Sequence, residues 1–191
     1  MPIKWILLCA SLLILPISVL GQTVRDQLEG WGPFRFSMSK TEAIAAARPD
    51  AVIAQEVVIY DVDIDGQLFW AGLDFTPDLS AIRQIRLAPG GWARKSRLPP
   101  RENVLQQTCL ERVEPFQKKL TSKYGQPDGP FIDSKDGAFT TRRYFYRFGD
   151  GNQIVVESTY APPGHGDGKN DHFCTQQIRY IALRAVPKAT F

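Results

Sequence analysis

The chain has 191 residues, a formal net charge of +3 and 23% charged residues. A charge so close to balance argues against a nucleic-acid-binding protein. The length is sufficient for one medium domain, or for two small repeated units around a shared core.

Residues 1–21 have the features of a secretory signal peptide. Lys4 precedes an apolar run from Trp5 to Leu20, and Gly21 supplies a small residue at the cleavage position. We therefore expect a mature protein that is periplasmic or secreted. The alternative is an uncleaved membrane anchor, for which the run is short and is interrupted by Pro16.

Residues 22–88 are predicted to form a first α+β unit that begins with a short helix. Ser39 and Glu42 match a capping box, in which each side chain bonds to the other residue's backbone at a helix start. The alanines that follow favour a helix, and Pro49 ends it. The expected helix runs from about Lys40 to Arg48.

A β-hairpin and a third strand complete this unit. A two-residue turn at Asp65-Gly66 aligns apolar residues on one face by pairing Val58 with Leu73, Tyr60 with Ala71, Val62 with Phe69, and Ile64 with Gln67. The third strand is predicted from Ala81 to Leu87.

Residues 89–101 read as a linker, because prolines and glycines occur there without periodicity. The linker also gathers Trp92, Arg94, Lys95 and Arg97 with no acidic residue between them. Such a stretch can contact an anionic surface such as a phospholipid head group. The alternative is an ordinary solvated linker.

Residues 102–186 are predicted to form a second α+β unit. Apolar residues recur at spacings of three and four and therefore define one core-facing helix stripe, namely Leu105, Cys109, Val113, Phe116, Leu120 and Tyr124. Pro115 should kink this helix or split it at Glu114. Gly125 should end it with a left-handed residue.

The strands of the second unit are predicted at 138–148, 152–160 and 172–183. A three-residue turn at 149–151 pairs Arg143 with Glu157 and Tyr144 with Val156, whereas a two-residue turn would pair Phe145 with Val156. We prefer the first register because it yields a charge pair and one aromatic face.

The two halves share a helix, a hairpin with an Asp-Gly turn, and a last strand that contains Gln-Ile-Arg, at 84–86 and at 177–179. Cys109 and Cys174 form an even pair. In the oxidising compartment of an exported protein, a disulfide between them is the expected state. The predicted fold class is α+β, with two helix-plus-antiparallel-sheet units packed side by side and one disulfide.

Three segments carry a family resemblance: WGPFRFSMSKTEAIAA, IDGQLFWAGLDF and LTSKYGQPD. They resemble β-lactamase-inhibitor proteins and the small SmpA/OmlA-type outer-membrane lipoproteins. In that fold a helix pair packs on an antiparallel sheet, and the unit can occur twice. The resemblance implies a non-enzymatic protein-binding module of the cell envelope. Unlike the lipoproteins, this chain has no cysteine at a lipidation position, since Cys9 lies within the apolar run.

The best candidate interface is one face of the strand at 138–148. Arg143, Phe145 and Arg147 alternate along this face, and Trp70 joins them if the two sheets are continuous. Arginine and aromatic side chains dominate binding hot spots because they bring large area and directional donors. We therefore expect a sheet face that docks on another envelope or secreted protein, either as an inhibitor or as an assembly factor.

Two metal sites are weaker candidates. Asp61, Asp63 and Asp65 match the start of a calcium-binding EF-hand loop, but the twelfth position is Gly72 instead of glutamate. His165 and His172 lie in a glycine-rich loop and could serve a metal-dependent hydrolase, although their spacing matches no standard zinc pattern. A solvated loop is preferred, and no cofactor is expected.

Overall fold

The computed structural model describes residues 25–47, 51–53, 57–64, 66–90, 106–165 and 172–183. In these ranges the protein has an α+β fold, in which short helices pack on one face of an eight-stranded antiparallel sheet. No helix in the described ranges is long and apolar enough to cross a membrane.

Among the described residues, the first half contains one helix and six strands. In chain order they are β1 (Gly30–Trp31), β2 (Phe34–Arg35), α1 (Lys40–Ala46), β3 (Val52–Ile53), β4 (Val57–Ile64), β5 (Gln67–Phe75) and β6 (Ile82–Pro89). The capping box at Ser39 and Glu42 is confirmed, because both of its hydrogen bonds are present. Helix α1 ends at Ala46, two residues earlier than predicted.

The second half contains two helices and four strands: α2 (Gln106–Glu111), α3 (Glu114–Tyr124), β7 (Ile132–Asp136), β8 (Phe139–Arg147), β9 (Gln153–Ala161) and β10 (Phe173–Ile181). The predicted break is confirmed. Pro115 lies in the first turn of α3. Backbone N–H groups in a first turn have no partner within the helix, so a proline there removes no helical hydrogen bond. Strand β7 was not predicted, because its polar sequence is typical of an edge strand and lacks a period-two apolar pattern.

The strand order of the sheet is β3-β4-β5-β6-β10-β9-β8-β7. Both predicted hairpin registers are confirmed: Val62 pairs with Phe69, and Tyr144 with Val156. The alternative register is wrong, because Phe145 pairs with Val155. The last strands of the two halves, β6 and β10, lie side by side at the middle of the sheet.

The core lies between the helices and one face of the sheet. The helix layer contributes Ala43 of α1, Leu120 of α3, and Val113 between α2 and α3. These side chains pack against inward-facing residues of the strands, which include Ile85, Leu87, Tyr146, Ile154 and Ile178. The predicted disulfide is present between Cys109 of α2 and Cys174 of β10, with both cysteines buried. The described members of the predicted stripe therefore face the core, whereas Leu105 lies outside the described residues.

Candidate functional site

Alternation along the strands places a second set of side chains on the sheet face away from the helices. We call this surface the open face and define it by eight residues: Trp70, Asp74, Arg86, Arg143, Phe145, Arg147, Glu157 and Arg179. Within the described ranges, no helix or strand covers it. The open face therefore carries the candidate interface residues named from the sequence.

Strand β8 divides its aromatic and basic residues between the two faces. Tyr144 and Tyr146 face the helices, whereas Arg143, Phe145 and Arg147 face away from them. The guanidinium carbon of Arg147 lies 5.8 Å from the centre of the Phe145 ring, which is within cation–π range. The strand thus presents one exposed arginine beside one half-buried aromatic ring.

Arg143 is partly engaged inside the protein. Its Nε donates to Glu157 Oε2 at 2.9 Å, and its Nη1 donates to Ser134 Oγ at 2.7 Å. The same carboxylate oxygen accepts from Nη2 of Arg179 at 2.9 Å. Because Glu157 has only 11% of its side chain exposed, the three side chains form a semi-buried ion cluster that links β8, β9 and β10.

Trp70 lies on the same face but not in the same cluster. Strand β5 is four strand spacings from β8, which corresponds to about 19 Å at the usual spacing in a sheet. Trp70 has a different arginine nearby, since the guanidinium carbon of Arg86 lies 5.7 Å from its ring centre. The sheet thus joins the four predicted residues on one surface but separates them into two groups.

Arg86, in the first half of the sheet, forms an ion pair equivalent to the one between Arg179 and Glu157 in the second half. Its Nη2 donates to Asp74 Oδ1 at 2.9 Å, and Gln84 Nε2 donates to Asp74 Oδ2 at 2.7 Å. Arg86 and Arg179 are direct register partners across the junction of β6 and β10. Two like charges therefore meet at the centre of the open face.

The sequence prediction did not include this central arginine pair. A sequence signal is present, because both arginines end the repeated Gln-Ile-Arg tripeptides, but the repeat by itself indicates only duplication. That the tripeptides face each other depends on β6 pairing with β10, which brings together residues 93 positions apart.

Arg142 has a structural role on the opposite face. Its Nε and Nη2 both donate to the carboxylate of Asp133 at 2.9 Å, and its guanidinium carbon lies 3.9 Å from the Phe131 ring centre. The hydrogen bonds that Arg142 donates to Asp133 raise the pKa of Arg142 above its ordinary value. Burial raises the pKa of the neighbouring Tyr144. The Arg142–Asp133 pair attaches the edge strand β7 to β8. With pKa values raised above their ordinary values, Arg142 is charged and Tyr144 is neutral at pH 7.

The described members of the two predicted metal sites have other hydrogen-bond partners or form no metal-binding cluster. His172 Nδ1 lies 2.7 Å from the Tyr160 hydroxyl, beside the disulfide, and the Asp63 carboxylate accepts from the Gly66 N–H at 2.8 Å. The described residues contain no group of three or more histidine, cysteine, aspartate or glutamate side chains that could hold a metal. His165 caps a turn through its backbone N–H, which donates to Pro162 O.

Several predicted site residues lie outside the described ranges. They are Asp65 of the acidic motif and the basic linker residues Trp92, Arg94, Lys95 and Arg97. The structure therefore tests neither the calcium motif as a whole nor the lipid-contacting linker.

No protein-family model, curated protein or solved structure matches this chain. The resemblance to β-lactamase-inhibitor and SmpA/OmlA-type proteins therefore stays a prediction from the three sequence segments.

Proposed function

We propose that this protein is a non-enzymatic, exported binding module that docks on another protein of the cell envelope through the open face. The observation that carries the proposal is a wide sheet surface, rich in arginine and aromatic residues, that no described helix or strand covers. Residues of these types are over-represented at the centres of protein interfaces.

The charges on the open face are unevenly distributed. Four arginines occupy β6, β10 and β8, namely Arg86, Arg179, Arg143 and Arg147, whereas Asp61 and Asp63 lie on the same face of β4. A partner with the opposite pattern would be steered and oriented by this distribution. This uneven pattern supports a specific protein surface as the ligand in preference to a uniformly charged one.

We further propose that the two halves arose as repeated α+β units packed side by side. Each unit would contribute four antiparallel strands, β3 to β6 and β7 to β10, with the last strands joined. The charged residues support this, because Asp74 pairs with Gln84 and Glu157 pairs with Gln177 at equivalent positions of the two tripeptides. Duplication would explain why one binding face extends over both halves.

The test is affinity capture of the mature protein from the envelope fraction of its host, followed by cross-linking and mass spectrometry. The decisive comparison is with Phe145→Ala/Arg147→Ala, which removes an aromatic ring and an exposed charge from the open face. We expect a partner bound in fixed ratio by the wild type and at least about tenfold more weakly by this variant, as for interface hot spots.

The matched control is Phe131→Ala/Arg35→Ala, which removes the same residue types away from the open face. Phe131 packs on Arg142, and Arg35 lies beside Glu29. The control should bind like the wild type, and circular dichroism should show that both variants are folded. Capture that is equally strong for all three proteins, or a partner lost only in the control, contradicts docking through the open face.

A further inference from the structure

We propose that Arg86 and Arg179 together receive one carboxylate side chain, aspartate or glutamate, of the docked protein. This inference depends on the proposed docking function and names the chemistry at the centre of the interface. The two arginines are direct register partners on adjacent antiparallel strands.

Facing arginines are an unfavourable arrangement when nothing lies between them. Direct cross-strand partners have Cβ atoms only about 5 Å apart, and like charges at such positions repel. The two carboxylates that pair with the arginines, Asp74 and Glu157, lie in the strands on the outer sides of the pair. Neither carboxylate therefore lies between the two arginines at the junction of β6 and β10.

The arginines are also incompletely hydrogen-bonded. Each bonds to its carboxylate through Nη2, at 2.9 Å in both cases. The Nε atoms of both arginines are buried. Among the described residues, these are the buried side-chain nitrogen and oxygen atoms that lack a hydrogen-bond partner. An unpaired buried donor is costly, so a ligand that lets the guanidinium groups reorient and complete their bonds gains binding free energy.

The local charge favours an anion with a single negative charge. Three arginines, Arg86, Arg143 and Arg179, share two carboxylates, Asp74 and Glu157, which leaves a surplus of one positive charge. A carboxylate matches this surplus and the planar fork of a guanidinium group. A doubly charged phosphate would bring excess negative charge close to Asp74 and Glu157.

The site is accessible and lies on the face of the sheet. The side chains of Arg86 and Arg179 are 31% and 26% exposed. Two clefts among the described residues border Leu28 and Arg35, and neither of these two is lined by Arg86 or Arg179. A flat surface of this kind suits a side chain that projects from a protein better than a free small molecule, which needs enclosure.

The test uses the free mature protein and a capped peptide that contains a single glutamate. The arginine Nε–Hε signals are followed by NMR during titration at constant ionic strength. We expect those of Arg86 and Arg179 to shift together and to saturate with one dissociation constant. Equivalent titrations with chloride and with inorganic phosphate should give no saturable shift at the same concentrations.

Two charge-conserving variants sharpen the test. Arg86→Lys keeps the charge but removes the guanidinium fork, and it should weaken the binding reported by Arg179 by about tenfold, as expected for a charge-assisted hydrogen bond. Arg83→Lys, an exposed residue of the same strand, should leave it unchanged. Any one of four results overturns the carboxylate site. The results are shifts that are linear, shifts that also occur with chloride, shifts that saturate only with phosphate, and shifts that persist unchanged in Arg86→Lys.

The outcome is separable from that of the capture experiment. Because the titration needs no partner, a saturable carboxylate signal without any captured protein rejects docking and keeps an anion site. If capture of a partner depends on Phe145 and Arg147 but the titration shows no carboxylate signal, docking is retained and the carboxylate site is rejected.

Discussion

At the residue scale, Glu157 is the side chain on which the open face depends most. Its Oε2 accepts from Arg143 of β8 and from Arg179 of β10, so one carboxylate links three neighbouring strands. The pairing of Arg143 with Glu157 was predicted from the turn length. The contact between Glu157 and Arg179 was not predicted. Arg179 follows Glu157 by 22 positions, and the contact needs the pairing of β9 with β10.

Replacing Glu157 by glutamine should lower the free energy of unfolding by about 2 kcal/mol. Removing one partner of a buried pair costs more than this, but both arginines are partly exposed and screened. The measurement is urea unfolding at pH 7. Glu29→Gln is the control, because the carboxylate of Glu29 is 71% exposed, and its change should stay within about 0.5 kcal/mol. Equal effects of the two substitutions would contradict the structural role of Glu157.

At the scale of elements, the extended segment 25–29 attaches the start of the described chain to the second half. The Arg25 guanidinium donates to Asp128 Oδ1 at 2.9 Å and to the backbone oxygens of Tyr124 and Gln126 at the end of α3. The Leu28 N–H donates to Asp150 in the turn between β8 and β9, at 2.9 Å. This attachment was not predicted, because an isolated arginine in a polar stretch gives no sequence signal of burial.

Arg25→Met should destabilise the protein by about 3 kcal/mol. It leaves Asp128 and the backbone oxygens of Tyr124, Gln126 and Arg147 without a buried cation. Combining it with Asp128→Asn should cost less than the sum of the two single changes, since both remove one interaction. Thermal or urea unfolding of the four proteins provides the double-mutant cycle. Strict additivity would mean that the two side chains do not interact.

At the scale of the whole molecule, the disulfide connects the helix layer to the centre of the sheet. Cys109 lies in α2, and Cys174 lies in β10, the strand that pairs with the first half. The two cysteines are 65 positions apart. The bridge therefore restrains most of the second half in the unfolded state.

Cys109→Ser/Cys174→Ser should lower the free energy of unfolding by about 4 kcal/mol on the chain-entropy account of loop closure. The comparison is urea unfolding of this variant and of the wild type, each with and without a thiol reductant. The reductant should destabilise the wild type to the level of the variant and leave the variant unchanged. A variant as stable as the oxidised wild type would show that the bridge does not restrain the unfolded chain.

The local elements were determined by the sequence alone, and for a physical reason. A capping box at Ser39, a helix-breaking Pro115 and turns of two and three residues act over a few neighbouring positions, so they specify α1, the division of α2 from α3, and both hairpin registers. The pairing of Cys109 with Cys174 also followed, since the mature chain is predicted to retain only these two cysteines.

Only the tertiary structure decided which strands meet at the centre of the sheet and which charges share a carboxylate. The pairing of β6 with β10 joins segments far apart in the chain, and no local propensity encodes it. That single junction makes one continuous face, separates Trp70 from Phe145, and sets Arg86 against Arg179. The local sequence specifies the strands and their faces, but the binding surface depends on long-range pairing.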